Sequence, residues 1–177
     1  MLRLVHDLTR FDRPLLIEHF CCLDREDRYL RFGLPRDDDS LKEYVEAIDF
    51  ERDLVLGVFG PGFKLVAVAH VGLINDTAEL GLSVLPEFRR QNLASLALQR
   101  AVRRARANGA KQLWIHFLRE NRAILAFAHK SKMRIELRGA EGDAYLALPP
   151  LGQLTYAFDL YESQLALLAR AWRVSGV

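Results

Sequence analysis

Hydrophobic and polar positions follow a helical period in the first third of the chain. Apolar residues recur there every three or four positions, which is typical of amphipathic helices. The pattern predicts helices over 13–23 and 24–32, and a third helix that begins at Ser40, where Glu43 completes a capping box. A short strand is predicted before these helices at 2–5.

After Asp53 the pattern changes to short apolar segments that are separated by turn residues, which predicts strands. A Gly-Pro-Gly turn at 60–62 and the turn at 75–76 separate three strands that should pair in antiparallel fashion. This order of elements predicts an α/β fold on a mixed sheet. The predicted strands cover 54–59, 64–74, 77–84, 111–118, 133–138 and 144–149, and the predicted helices cover 93–108 and 121–132.

The segment 151–172 is predicted to form a final helix outside this arrangement. Its apolar residues, which include Phe158 and Trp172, lie on a heptad-like stripe. The stripe fits a helix that covers its own domain, and it also fits a contact between two copies in a homodimer. We therefore expect one domain at 1–150 and a helical extension at 151–177.

Composition and charge exclude several classes of protein. Of the 177 residues, 50% are hydrophobic and 27% are charged, as in a single globular domain. The net charge of +2 is too small to indicate wholesale nucleic-acid binding. The first residues do not resemble a signal peptide, and no apolar run has the length of a membrane span. Cys21 and Cys22 are adjacent, which disfavours a structural disulfide, so we expect a reduced, cytoplasmic protein.

Several arginines on the predicted helix 93–108 need their own interpretation. Arg100, Arg103 and Arg104 occupy neighbouring positions on one helical face. A solvated face, a contact with a cofactor phosphate and nucleic-acid binding all fit this spacing. The lack of interleaved aromatic residues favours the solvated face. His116, in an apolar strand, is predicted to be a packed core residue.

The sequence LPEFRRQNLAS at 85–95 connects a predicted strand to the helix 93–108. Its consecutive backbone N–H groups from Arg89 to Ala94 would lie at the start of that helix. Unpaired N–H groups and the positive end of the helix dipole favour an anion there. Arg89 and Arg90 add positive charge, so the turn is predicted to bind a phosphate group, with a pyrophosphate as a fitting ligand.

This turn resembles the acetyl-CoA-binding motif of the Gcn5-related N-acetyltransferase (GNAT) superfamily, Arg/Gln-x-x-Gly-x-Gly/Ala, which follows a strand that ends in Val-x-Pro. Residues 84–86 supply the strand end, and Arg89, Asn92 and Ala94 take the three motif positions. Asn92 stands where the family has glycine. Asparagine adopts positive φ more readily than most residues, but its side chain can crowd a phosphate. The resemblance implies a GNAT-like mixed, mostly antiparallel sheet flanked by helices.

The resemblance also implies acetyl-CoA as cosubstrate, with no metal. In the family, the strand end faces the pantetheine arm and the turn faces the pyrophosphate, while an asparagine begins a later helix as Asn121 does here. The segment 27–32 further resembles GNAT domains of bacterial protein-lysine acetyltransferases. The implied cofactor-binding residues are Leu82, Ser83, Val84, Arg89, Arg90, Gln91, Asn92, Leu93, Ala94, Ser95 and Asn121.

Glu79 is the predicted catalytic residue. A Glu in this Ala-Glu-Leu context serves some family members as a general base through water, and the alternative is a surface ion pair. Many family members reprotonate the departing thiolate with a tyrosine on the late helix, where this chain has Phe127 and Ala128. Ser83 has no identified histidine partner in the sequence, which disfavours a hydrolase.

Two functions from different classes follow. The first is an acetyl-CoA-dependent N-acetyltransferase in which a primary amine attacks directly in a ternary complex. The second is a catalytically degenerate GNAT domain that binds CoA or a partner protein, as suggested by Asn92, the missing tyrosine and KSKM at 130–133 in place of Lys-Leu-Gly-Phe. The family's acceptor pocket corresponds to 20–36 and 134–148, whose mixed charges leave protein lysines and small-molecule amines open.

Overall fold

The computed structural model describes residues 4–149 and contains, within that range, seven strands and five α-helices. The predicted order of these elements is confirmed. Three short 3-10 helices cover Arg10–Asp12, Pro61–Phe63 and Pro86–Phe88. The strands are β1 (Val5–Asp7), β2 (Leu54–Phe59), β3 (Leu65–Ile74), β4 (Thr77–Val84), β5 (Gln112–Leu118), β6 (Arg134–Arg138) and β7 (Glu141–Ala147). The α-helices are α1 (Arg13–Cys21), α2 (Arg25–Phe32), α3 (Asp38–Glu46), α4 (Leu93–Ala107) and α5 (Arg122–Lys130).

All seven strands form one sheet in the order β1-β2-β3-β4-β5-β7-β6. Neighbouring strands are antiparallel except β4 and β5, which are parallel because α4 carries the chain back between them. One core lies between the sheet and the face of α4 that includes Ala101, and another lies beneath α1 and α3, where Phe20 and Val45 are buried. The predicted mixed, mostly antiparallel sheet flanked by helices is confirmed.

The strands β4 and β5 pair only at their beginnings. Their register covers Thr77–Glu79 and Gln112–Trp114, although β4 continues to Val84 and β5 to Leu118. On its other side, β4 pairs with β3 along its whole length. The backbone groups of residues 80–84 that face β5 therefore have no strand partner, and a gap opens between the two strands.

Side chains on β4 alternate between the two faces of the sheet. Leu80 and Leu82 belong to the core beneath α4. Gly81 and Ser83 face the opposite side, where they contact side chains of α2 and α1. Glu79 shares that second face. The alternation thus directs the polar residues of β4 towards the first three helices.

Two predicted boundaries in the N-terminal region are wrong. Helix α3 is capped by Asp37, not Ser40, because the Asp37 carboxylate accepts a hydrogen bond from the Ser40 N–H at 2.9 Å. The acidic residues that follow favour this earlier start, since they lie at the positive end of the helix dipole. Strand β1 occupies Val5–Asp7 instead of 2–5, because its pairing with β2 runs from Val5 to Asp7.

The predicted environments of Arg100 and His116 are also wrong. Arg100 is buried on α4, and its Nη2 lies 3.2 Å from the Asp7 carboxylate on β1. His116 is 42% exposed and its Nδ1 lies 2.8 Å from the Asp143 carboxylate. The alternation of side chains along β5 explains why His116 is exposed. The odd-numbered residues, such as Ile115, are buried, and the even-numbered residues face the other side of the sheet.

Predictions for the extension 151–177, including its helix and dimer contact, lie outside the described residues. Cys21 and Cys22 are free thiols. Between residues 4 and 149, no helix is long and apolar enough to cross a membrane. The same range contains no group of three or more His, Cys, Asp or Glu side chains that could hold a metal ion.

Candidate functional site

A cavity of about 860 Å³ opens at the gap between β4 and β5, and we call it the main cavity. Its walls come from α2, the end of β4, the turn that leads into α4, and the start of α5. Cavities of this volume commonly bind small-molecule ligands. The sheet topology therefore produces a ligand-sized site where the described strands β4 and β5 separate.

The main cavity brings together most of the predicted cofactor-binding residues. Gln91 is the exception, since its side-chain Nε2 donates a hydrogen bond to the Glu87 carbonyl at 3.3 Å. Glu79 also lies outside the cavity wall. The other ten predicted cofactor-binding residues all line the wall, and they are Leu82, Ser83, Val84, Arg89, Arg90, Asn92, Leu93, Ala94, Ser95 and Asn121.

The turn before α4 has the conformation that its motif positions require. Asn92 has φ 63° and ψ 14°, in the left-handed region, so asparagine does occupy the conformation in which the family places glycine. Its side chain does not cap the helix. The first N–H groups of α4, at Leu93, Ala94 and Ser95, have no intrahelical acceptor and border the main cavity. Together with the helix dipole, they favour an anion.

Three cationic side chains surround this helix start. Arg89 is held in place, because its Nη2 lies 2.5 Å from the Asp27 carboxylate and its Nε donates to the carbonyl at the end of β4 at 3.2 Å. Arg90 is exposed and forms no ion pair with residues 4–149. Lys130 on α5 donates from Nζ to the Asn92 Oδ1 at 3.3 Å. Lys130 cannot be assigned to the turn from the sequence, because only the packing of α5 brings it there.

Asn121 lies at the junction of α2 and α5. Its Oδ1 accepts a hydrogen bond from the Ile124 N–H at 3.1 Å and thereby caps α5. Its Nδ2 donates to the Leu30 carbonyl at 3.3 Å. Both ends of the amide are therefore engaged within the protein, while the residue still borders the main cavity.

Ser83 does have a histidine partner. His19 Nε2 lies 2.8 Å from Ser83 Oγ, and His19 Nδ1 lies 2.9 Å from the Leu65 carbonyl oxygen. A carbonyl can only accept, so Nδ1 carries the proton and Nε2 accepts the serine hydroxyl. Burial lowers the pKa of His19 from 6.5 to about 4. So weak a base does not activate Ser83 as a nucleophile, and the hydrolase interpretation stays disfavoured.

A second hydrogen-bonded chain lies on the same side of the sheet. The Tyr44 hydroxyl is 2.6 Å from His70 Nδ1, and His70 Nε2 is 3.0 Å from the Asp53 carboxylate. Since a carboxylate accepts, Nε2 carries the proton and Nδ1 accepts from Tyr44. Arg31 Nη2 then donates to the Tyr44 oxygen at 3.4 Å. These contacts cannot be predicted from local sequence patterns, because each residue comes from a different part of the chain.

Glu79 is exposed on the face of β4 that it shares with Gly81. It forms no ion pair with any residue in the described range, so the alternative of a surface ion pair gains no support. Burial lowers the pKa of His70, and the hydrogen bond to Asp53 opposes this more strongly than the nearby negative charge of Glu79 does. Glu79 is therefore an unpaired carboxylate that acts electrostatically on the side of the sheet occupied by Tyr44 and His70.

Comparison with known proteins identifies the class of protein that this fold and site define. The chain matches the acetyltransferase (GNAT) family over residues 20–132. Because this match covers more than half of the chain, the protein belongs to the GNAT family. A search of curated proteins by sequence gave no match.

Solved structures with a similar fold include several acetyltransferases. The GNAT domain of S. lividans PAT has a TM-score of 0.71 at 18% identity, covering 81% of this chain and 89% of that chain. The PaiA N-acetyltransferase of Thermoplasma acidophilum, in complex with coenzyme A, has a TM-score of 0.64 at 19% identity, covering 83% and 99%. The ribosomal-protein-S18-alanine N-acetyltransferase of Escherichia coli has a TM-score of 0.64 at 19% identity, covering 86% and 97%.

Proposed function

We propose that this protein transfers the acetyl group of acetyl-CoA to a primary amine by direct attack in a ternary complex. The observation that carries the proposal is the main cavity, with the gap between β4 and β5 at one end and the N-terminus of α4 at the other. The unpaired backbone N–H and C=O groups of β4 can form hydrogen bonds with the amide groups of a ligand. The N-terminus of a helix can bind a pyrophosphate group. Coenzyme A contains both groups.

The charges around the turn support a phosphate-bearing ligand. Arg90 is exposed beside the start of α4 and is not committed to an ion pair within the described range. Lys130 adds a second cation from α5. The Asn92 side chain occupies space that a glycine would leave empty, so affinity for the pyrophosphate depends on how far this side chain moves aside.

The chain supplies two further requirements of acetyl transfer, a hydrogen-bond donor for the developing oxyanion and an acceptor for the amine proton. Backbone N–H groups among residues 80–84 that face the gap are suited to donate to the thioester oxygen. Glu79 takes the amine proton through water as the C–N bond forms and the C–S bond breaks. Phe127 has no proton to donate, so solvent protonates the departing thiolate.

The second candidate function is a CoA-binding or protein-interaction module without turnover. Lys132 and Met133 replace the Gly-Phe ending of the family, and Lys132 has φ 54°, a conformation that favours glycine. Asn92 in place of glycine and the missing tyrosine on α5 also favour a module without turnover. This candidate predicts binding of CoA without any amine-dependent reaction.

Titration calorimetry with acetyl-CoA, followed by a thiol-release assay with a panel of amines, distinguishes these functions. We expect Arg90→Glu to weaken acetyl-CoA binding by about tenfold or more, since it removes a charge-assisted contact and adds repulsion. Arg52→Glu, at an exposed site that does not border the main cavity, makes the same charge change and should bind as the wild type does.

The two assays have separate consequences. Amine-dependent thiol release that Glu79→Gln abolishes would support the enzyme. Binding with no release from any amine would support the module. An absence of acetyl-CoA binding by the wild type would contradict the enzyme and the CoA-binding module, and would leave only a protein-interaction module.

A further inference from the structure

The guanidinium group of Arg31 lies directly over the backbone of β4. It is so close to Gly81 that a Cβ atom at this position would overlap all three nearest guanidinium atoms. Arg31 also borders the main cavity, on the side formed by α2. A glycine on β4 thus makes room for a cation beside the gap in which the acetyl group is proposed to lie.

Arg31 has no carboxylate partner in residues 4–149. Its only hydrogen bond there goes to the Tyr44 oxygen, at the long distance of 3.4 Å, and its Nε is buried without a partner. Two other arginines of the region are paired, since Arg28 contacts the Asp38 carboxylate at 2.7 Å and Arg89 contacts Asp27. A partly buried cation without a counter-ion is costly, so an anionic ligand group would be favourable at this point.

The hydrogen-bonded chain behind Arg31 fixes its orientation without neutralising it. Tyr44 donates its hydroxyl proton to His70, so only its oxygen lone pairs remain for the guanidinium group. The Asp53 carboxylate is bound to the far side of the His70 ring. The Nη donors of Arg31 that do not contact Tyr44 are therefore left for a ligand.

Glu79 lies two residues before Gly81 on the same face of β4. Positions i and i+2 on a strand are about 6.6 Å apart. The positions at which a carboxylate and a guanidinium group lie on this face, both without an ion pair among the described residues, therefore follow one another along β4. This spacing fits a ligand whose ammonium group faces Glu79 and whose carboxylate faces Arg31.

We infer that the acceptor is a small amine with a carboxylate close to its amino group, an α-amino acid or a similar amino acid, and that Arg31 binds this carboxylate. The inference rests on the proposed acetyl transfer and specifies its substrate class. Polyamines and aminoglycosides carry no carboxylate, and Arg31 repels their positive charges. A lysine side chain in a protein likewise brings no carboxylate near its amine.

The test compares each standard L-α-amino acid with its amide and with the corresponding decarboxylated amine in the thiol-release assay. We expect kcat/KM to be about 10- to 100-fold higher for the best free acid than for its amide, the range for a charge-assisted hydrogen bond. Arg31→Met should remove this difference by lowering kcat/KM for acids alone, and Arg31→Lys should restore part of it. Arg52→Met, at an exposed site outside the main cavity, should preserve it.

Gly81→Ala provides a second variant, because its methyl group would displace the guanidinium group without removing the charge. It should lower kcat/KM for acids more than kcat/KM for amides, while thermal melting stays close to that of the wild type. Equal turnover of acids and amides by the wild type, or an unchanged preference in Arg31→Met, would overturn the inference and leave the acetyltransferase intact.

If no amine supports turnover, calorimetry of the same acids and amides with the CoA-saturated protein still decides the inference. Tighter binding of acids that Arg31→Met abolishes would establish the carboxylate site even though the proposed reaction had failed. Equal binding of acids and amides would overturn the inference.

Discussion

His19 Nε2 and Ser83 Oγ form a buried hydrogen bond of 2.8 Å that joins α1 to β4. The Leu65 carbonyl holds the opposite ring nitrogen at 2.9 Å and fixes the tautomer. His19 is only 1% exposed, so protonation would place a charge without a carboxylate partner in the core. The stability of this part of the fold therefore depends on a neutral imidazole ring.

This arrangement predicts that the free energy of unfolding falls as the pH drops from about 6.5 to about 4. Burial lowers the pKa of His19 to about 4 in the folded protein, while the unfolded chain keeps a pKa of 6.5. In that window the unfolded chain binds more protons, so the contribution of His19 is complete above pH 6.5 and is lost towards pH 4. The pKa difference corresponds to on the order of 3 kcal/mol. Urea denaturation at several pH values measures this loss.

Histidine variants separate this effect from the general titration of carboxylates. His19→Gln keeps an amide that can donate and accept, and it should flatten the pH dependence between 4 and 6.5. His129→Gln, at an exposed position on α5, should follow the wild type. An equal slope for His19→Gln and the wild type would show that other groups cause the loss.

The order of strands and helices could be predicted because it depends on local periodicity and turn residues. The strand, short turn and helix start at 85–95 could be predicted for the same reason, and anion binding there stays a prediction. The positive φ of Asn92 agrees with the preference of asparagine for this conformation. Such features depend on neighbours along the chain.

Contacts between distant parts of the chain could not be predicted in this way. The hydrogen bond between His19 and Ser83 spans 64 positions, and the position of Arg31 over Gly81 depends on how α2 packs against the sheet. The spacing of residues along α4 predicts that Arg100 is exposed to solvent. This spacing carries no information about β1, which places the Asp7 carboxylate beside α4. Polar partners that packing brings together leave no local sequence pattern.

Arg100 should be needed for stability and not for binding nucleic acid. Its side chain is 3% exposed and contacts the Asp7 carboxylate at 3.2 Å. Arg100→Met should lower the free energy of unfolding by about 3 kcal/mol, the low end of the range for breaking a buried ion pair. The loss should be at the low end because Asp7 is partly exposed and also lies 3.6 Å from Arg104. Chemical denaturation measures the loss.

The matched control is an exposed ion pair. Lys111 and Asp76 lie 3.2 Å apart with most of both side chains in solvent. Lys111→Met should cost less than about 1 kcal/mol. Similar losses in the two variants would contradict a buried role for Arg100.

Tyr44 should contribute to stability through its hydroxyl group. Tyr44→Phe removes the donor to His70 Nδ1 and the acceptor for Arg31, and it should lower the free energy of unfolding by about 1–2 kcal/mol, since a buried acceptor is left without a partner. Tyr29→Phe is the control, because the Tyr29 hydroxyl makes no hydrogen bond with the described residues. A loss in Tyr44→Phe no larger than in Tyr29→Phe would contradict the assigned hydrogen bond.

Asn92→Gly should tighten the binding of acetyl-CoA. Glycine accepts φ 63° without strain, leaves space for a phosphate and releases Lys130 from its hydrogen bond to the Asn92 side chain. We expect the Kd from calorimetry to fall by about two- to tenfold, the range for one neutral hydrogen bond. Asn75→Gly makes the same substitution at φ 54° in the turn between β3 and β4, outside the main cavity, and should leave the Kd unchanged. Weaker binding in Asn92→Gly would mean that the asparagine side chain itself contacts the ligand, and Asn92 would then be a binding residue of this chain in its own right.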